Sequence, residues 1–119
     1  MVLLATLFLV IVMAQSCYYD NEEELYPFDV DCNLPPAVTY AGQIEAIIQG
    51  NCAVPGCHTG NSPTGGLFLD TYQQVKAVAD NGKLTNRTIV QETMPPSSPL
   101  SNCDQEAIQV WVNNGAPEN

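Results

Sequence analysis

The chain has 119 residues, enough for one small domain, and is strongly acidic: 13 Asp and Glu against 3 Lys and Arg, a formal net charge of −10. That balance excludes a nucleic-acid partner, because phosphate neutralisation needs clustered Lys and Arg, and it favours partners with a basic face. Apolar residues make up 45%, so a packed core is within reach, and five cysteines are many for a reduced cytosolic protein.

The first sixteen residues, MVLLATLFLVIVMAQS, carry no charge and are apolar from Val2 to Ala14. The run is short for a membrane span, which takes about 20 residues, and suits the apolar part of an export signal over residues 1–16. AQSC, ending at Cys17, resembles a bacterial lipobox, with the small Ser16 just before the cysteine. The resemblance implies that Cys17 becomes an acylated N-terminus, which anchors the exported chain to the outer membrane. A cleaved soluble signal or a short anchor are the plainer readings. Residues 17–38, CYYDNEEELYPFDVDCNLPPAV, then read as a spacer. Six acids fall between Asp20 and Asp31, and Pro27, Pro35 and Pro36 oppose regular helix. DNEEE resembles the acidic surface-export signal of Bacteroidota lipoproteins; the bland alternative is a solvated tether.

The remainder, 39–119, reads as a helical domain. TYAGQIEAIIQGNC places Ile44, Ile47 and Ile48 on one helical stripe, and Gly50 is expected to end that helix just before Cys52. NSPTGG (61–66) is a loop by composition. DTYQQVKAVADNG predicts a second helix with Asp70 as N-cap, Gln73 three residues on, a buried face of Tyr72, Val75, Val78 and Ala79, and a stop at Gly82. NRTIV (86–90) suits a short helical turn, and TMPPSSP (93–99) an extended segment, since residues before proline avoid the helical region. SNCDQEAIQVWVNNG predicts a last helix, capped by Ser101 and ended by Gly115, with Cys103, Ala107, Ile108, Trp111 and Val112 facing inward. No strand and no internal repeat is evident. Three or four short helices make a thin core, and a domain of this size usually needs a staple or a cofactor.

NCAVPGCHT (51–59) carries the chemistry. It holds Cys52, Cys57 and the single histidine, His58, as C-x-x-x-x-C-H. The c-type haem attachment pattern is C-x-x-C-H: two thiols add to the haem vinyl groups and the adjacent imidazole binds iron. The histidine must follow the second cysteine at once, whereas the loop behind the first can bulge. Gly56 would let the backbone pass close to a flat ring. A Cys52–Cys57 disulfide is the main alternative. Zinc is a weaker one, since it wants about four ligands and this motif offers three. Met94 in TMPP is poor core filler, because its prolines forbid a helical face, but it suits a sulfur ligand opposite His58.

Taken in order across residues 38–119, VTYAGQIEAIIQGNCAVPGCH, GGLFLDTYQQVKAV, GKL, MPP and LSNCDQEAIQVWVNNGAPEN resemble the small class I-like c-type mono-haem cytochrome domains of Bacteroidota lipoproteins. The resemblance implies an all-α cytochrome c-like domain around one haem c bound through Cys52 and Cys57. His58 and Met94 are then the axial iron ligands, and Cys32 pairs with Cys103 in a disulfide. It implies electron transfer to a redox partner protein, with no catalytic residue and no enzyme activity. Gly65, Gly66 and Leu67 are expected beside the proximal face, Trp111 in the core, and Lys83 or Arg87 near a haem carboxylate. Two other functions stand against it: a cofactor-free, disulfide-stapled surface module, and a haem-based peroxidase or gas sensor.

Overall fold

A computed structural model describes residues 31–118. The export signal (1–16), Cys17 and spacer residues 17–30 lie outside the described residues. Four helices make the domain, and there is no strand among the described residues. Helix α1 opens as a wide π-turn, Tyr40–Ile44, and continues as α-helix through Glu45–Asn51. Thr39 starts it in extended conformation, its hydroxyl accepting the Gly42 N–H at 3.1 Å. Helix α2 spans Tyr72–Asp80. Helix α3 runs Lys83–Thr85 and widens into a π-turn, Asn86–Val90. Helix α4 spans Asn102–Asn113 and is capped by Ser101, whose hydroxyl accepts the Asp104 N–H at 3.2 Å.

Two expected helix ends move. Gly50 does not stop α1, which runs on to Asn51 with Cys52 as its C-cap. The cap of α2 is Thr71, not Asp70: Thr71 accepts the Gln74 N–H, and the Gln74 side chain accepts from the Thr71 N–H at 3.0 Å. Gly82 does stop α2, in the left-handed conformation.

The core forms where α4 packs across the opening turn of α1 and α3 joins α2 and α4. Ile44, Ile48, Val75, Ile108 and Trp111 are fully buried. Tyr40 meets the Tyr72 ring edge-on at 5.1 Å and lies 5.9 Å from Trp111. The C-terminal segment folds back over this cluster. Trp111 Nε1–H donates to the Pro117 carbonyl at 2.8 Å, and the Tyr72 hydroxyl donates to that of Ala116 at 2.9 Å. Trp111 is therefore core. At the other end, Val38 is buried and Leu34 packs on the core, so the last residues before α1 belong to the packed domain. A disulfide, Cys32–Cys103, fixes that segment to the first turn of α4, with Cα atoms 5.2 Å apart.

Candidate functional site

The site grows from the end of α1. The N–H groups of Cys52 and Ala53 both donate to the Ile48 carbonyl at 2.8 Å, so the helix tightens and leaves Cys52 buried at its last turn. Ala53–Gly56 then bulge outward. The excursion closes on itself: the His58 N–H donates back to the Cys52 carbonyl at 3.1 Å. Four residues between the cysteines are thus absorbed by a loop whose two ends are bonded together. Gly56 is needed there for its φ of +86°, while a side chain at that point would meet open space among the protein atoms.

The next segment grips His58. The Thr64 N–H donates to the Cys57 carbonyl at 2.7 Å, and Thr64 opens a single 3-10 turn, Thr64–Gly66. Gly65 and Gly66 both take positive φ, which turns the chain back toward the histidine. The Leu69 N–H donates to the His58 carbonyl at 2.9 Å, and the His58 Nδ1 lies 3.1 Å from the Leu67 carbonyl. A carbonyl only accepts, so Nδ1 carries the proton in this bond. Of the two tautomers this is the one with its lone pair at Nε2, the form in which histidine binds a metal through that nitrogen.

Met94 arrives from the other side of the chain fold. After α3 the backbone reverses, and the N–H groups of Thr93 and Met94 both donate to the Arg87 carbonyl, at 2.9 and 3.1 Å. Two adjoining hollows share Cys52, His58 and Met94. The larger, about 280 Å³, has walls of Leu67, Leu69, Val78 and Leu84, and also meets the exposed cations Lys83 and Arg87. The smaller, about 180 Å³, is lined by Cys57, Gly56, Thr64, Pro95 and Pro96. Together they are of the size that takes a small organic ligand, roughly 300–1,000 Å³.

Of the residues expected at the site, Cys52, Cys57, His58, Met94, Leu67, Lys83 and Arg87 line these hollows, whereas Gly65, Gly66 and the Cys32–Cys103 pair do not. Cys52 and Cys57 are both free thiols. Burial, with the neighbouring Cys57 adding to it, pushes the Cys52 thiol up to about 11. Among the described residues the one ion pair is Lys76 with Asp80 at 2.8 Å, so Lys83 and Arg87 bring their charge to the cleft without a carboxylate partner. Sequence reasoning did not identify the Leu67 carbonyl as the partner of His58. A backbone acceptor has no residue signature; only the Gly65–Gly66 pair hinted that the chain turns there. Leu84 was also missed as a wall, because GKL is too short to show a helical period. Among the described residues no three His, Cys, Asp or Glu side chains gather in a cluster able to hold a metal ion.

No family model matches the chain, and neither a curated protein nor a solved structure matches it.

Proposed function

We propose that the chain is a mono-haem c-type electron carrier, exported and tethered to the outer membrane through lipid on Cys17. The observation that carries this reading is the state of His58. Its Nδ1–H is committed to the Leu67 carbonyl, and it shares both hollows with Met94 and Cys52. One further thiol, Cys57, lines the smaller hollow. That set fits haem c group by group. Cys52 and Cys57 supply two free thiols for thioether bonds. His58 supplies a neutral nitrogen donor and Met94 a thioether sulfur. Leucine and valine line an apolar slot, and Lys83 and Arg87 offer charge to two carboxylates.

When bound, haem supplies a one-electron couple at iron. The protein does the rest with its own groups. His58 and Met94 would hold the iron, and ligation by a histidine and a methionine would favour a raised potential. Leu67 holds the imidazole in the tautomer that leaves Nε2 unprotonated for a metal. The walls of Leu67, Leu69, Val78 and Leu84 offer a flat ring an apolar surface. The charge of −10 steers a partner with a basic face toward the molecule.

The test is a pyridine haemochrome spectrum of exported protein, made with a haem-attachment system and extracted with acid acetone. Wild type is expected to keep its haem, and C52A/C57A to lose it. M94A is expected to keep covalent haem, lose the sulfur–iron band and bind carbon monoxide when reduced. Wild type without haem overturns the reading. A sulfur–iron band that persists in M94A overturns the Met94 assignment alone. Ready binding of carbon monoxide by wild type transfers the site to the sensor or peroxidase class.

A further inference from the structure

The segment that brings Met94 to the cleft is short and exposed, yet it is held in a costly conformation. Glu92 has φ of +48°, a left-handed angle that a non-glycine residue adopts only when its surroundings impose it. A side chain of α4 holds Glu92 at this point. Gln105 is 5% exposed, one of two buried polar side chains among the described residues. Its Nε2 donates twice, to the Leu100 carbonyl at 3.0 Å and to Glu92 Oε1 at 3.2 Å. Both partners only accept, so the amide can face only one way. Leu100, itself buried, ties Gln105 to the residue just before the Ser101 cap. The chain of contacts is therefore Leu100, Gln105, Glu92, and then Thr93 and Met94 on the Arg87 carbonyl.

We infer that Gln105 is the positioning residue for Met94, acting through the Glu92 carboxylate. This rests on the reading of Met94 as an iron ligand, but the clamp also exists without haem. Gln105 reaches into the reversal from a rigid helix and fixes the one turn whose angles decide where the Met94 side chain goes. Buried glutamine is expensive unless both its partners are present, so a merely space-filling role would be better served by leucine or methionine. With the clamp intact, sulfur is held at the cleft. With it cut, Glu92 relaxes and the turn samples other conformations.

The experiment uses the full chain with and without haem. Gln105→Met keeps the volume and removes the donor. Glu92→Ala removes the acceptor at an exposed side chain and leaves the core alone; Glu92→Gln keeps an acceptor oxygen. In the haem-free protein, Q105M and E92A are expected to speed amide exchange at Thr93 and Met94 about tenfold, the effect of one lost hydrogen bond, with Ile48 in α1 unchanged and E92Q near wild type. In the haem-loaded protein, Q105M and E92A are expected to weaken the sulfur–iron band and to bind carbon monoxide about tenfold faster when reduced, through the same population shift. If E92A leaves exchange at Thr93 and Met94 at the wild-type rate, the clamp does not exist. If exchange quickens and the band and carbon monoxide binding do not change in E92A, Gln105 is structural and the positioning role is overturned. A wild type with haem but no sulfur–iron band refutes the Met94 ligand itself, and the positioning role with it.

Discussion

Cys52 and Cys57 are five residues apart and differ in every respect that governs reactivity. Cys52 closes α1 and is 7% exposed, while Cys57 sits in the bulged loop and is half-buried. Burial raises the Cys52 thiol to about 11, so near neutral pH it is almost wholly protonated, and only the thiolate attacks. Haem-free protein treated with iodoacetamide at pH 8 is therefore expected to label Cys57 well before Cys52, by peptide mapping. The sign of the pH response follows. Because the folded value lies above the ordinary 9.0, the folded chain holds that proton longer than the unfolded one. Labelling of Cys52 rises steeply as pH climbs toward 11, and the stability of the haem-free fold falls over the same window. Equal labelling at pH 8 would show that Cys52 is not buried in solution. At this scale the choice between a disulfide and two free thiols was open in the sequence. The structure leaves the pair reduced while bridging Cys32 to Cys103.

The helices depend on groups that join one element to the next. Trp111 is fully buried on α4, touches Tyr40 on α1, and donates to the Pro117 carbonyl beyond its own helix. Trp111→Phe removes that bond and part of the ring, and is expected to lower the unfolding free energy by about 2–3 kcal/mol in urea melts. Val112→Ala, one residue on and only partly buried, serves as the mild control. The helical stripes themselves were legible, because Ile44, Ile48, Val75, Ile108 and Trp111 fall at the period of a helix and all prove fully buried. The cap of α2 was not. Asp70 and Thr71 are both good caps, and Gln73 and Gln74 offer each of them a partner three residues on. Only the backbone decides, and it places Thr71 at φ −127° and ψ 155°. Gln105 was hidden for a related reason. It sits beside the apolar stripe of α4, and nothing in a linear pattern distinguishes a buried glutamine with two partners from a solvated one. Met94 stood out because Pro95 and Pro96 removed the bland helical explanation for it.

Across the whole molecule, one covalent bond spans almost all the described chain. Cys32 and Cys103 are 71 residues apart, and closing a loop of that length stabilises a fold by roughly 4 kcal/mol in the chain-entropy model, commonly less when measured. The double variant C32S/C103S is expected to lose about 2–4 kcal/mol in urea unfolding of the haem-free protein. A loss below about 1 kcal/mol would mean that the unfolded chain is already compact there. The bridge matters because the core is small: four short helices bury one apolar cluster beside an open slot.

The fold-back at residues 115–117 has a consequence in time. The carbonyls of Gly115, Ala116 and Pro117 accept from Lys76, Tyr72 and Trp111, and so cover helices that precede them in the chain. A polypeptide that emerges from a membrane channel N-terminus first presents the Cys52–His58 loop some fifty-seven residues before these acceptors, counting from His58 to Gly115. Until those acceptors emerge, the Tyr72 hydroxyl and then the Trp111 indole nitrogen lack them and the helices have no cover. Under the proposed export and haem attachment, the heart of the domain is the last part to shut, and an enzyme that must reach two thiols and a histidine meets them first on an open chain.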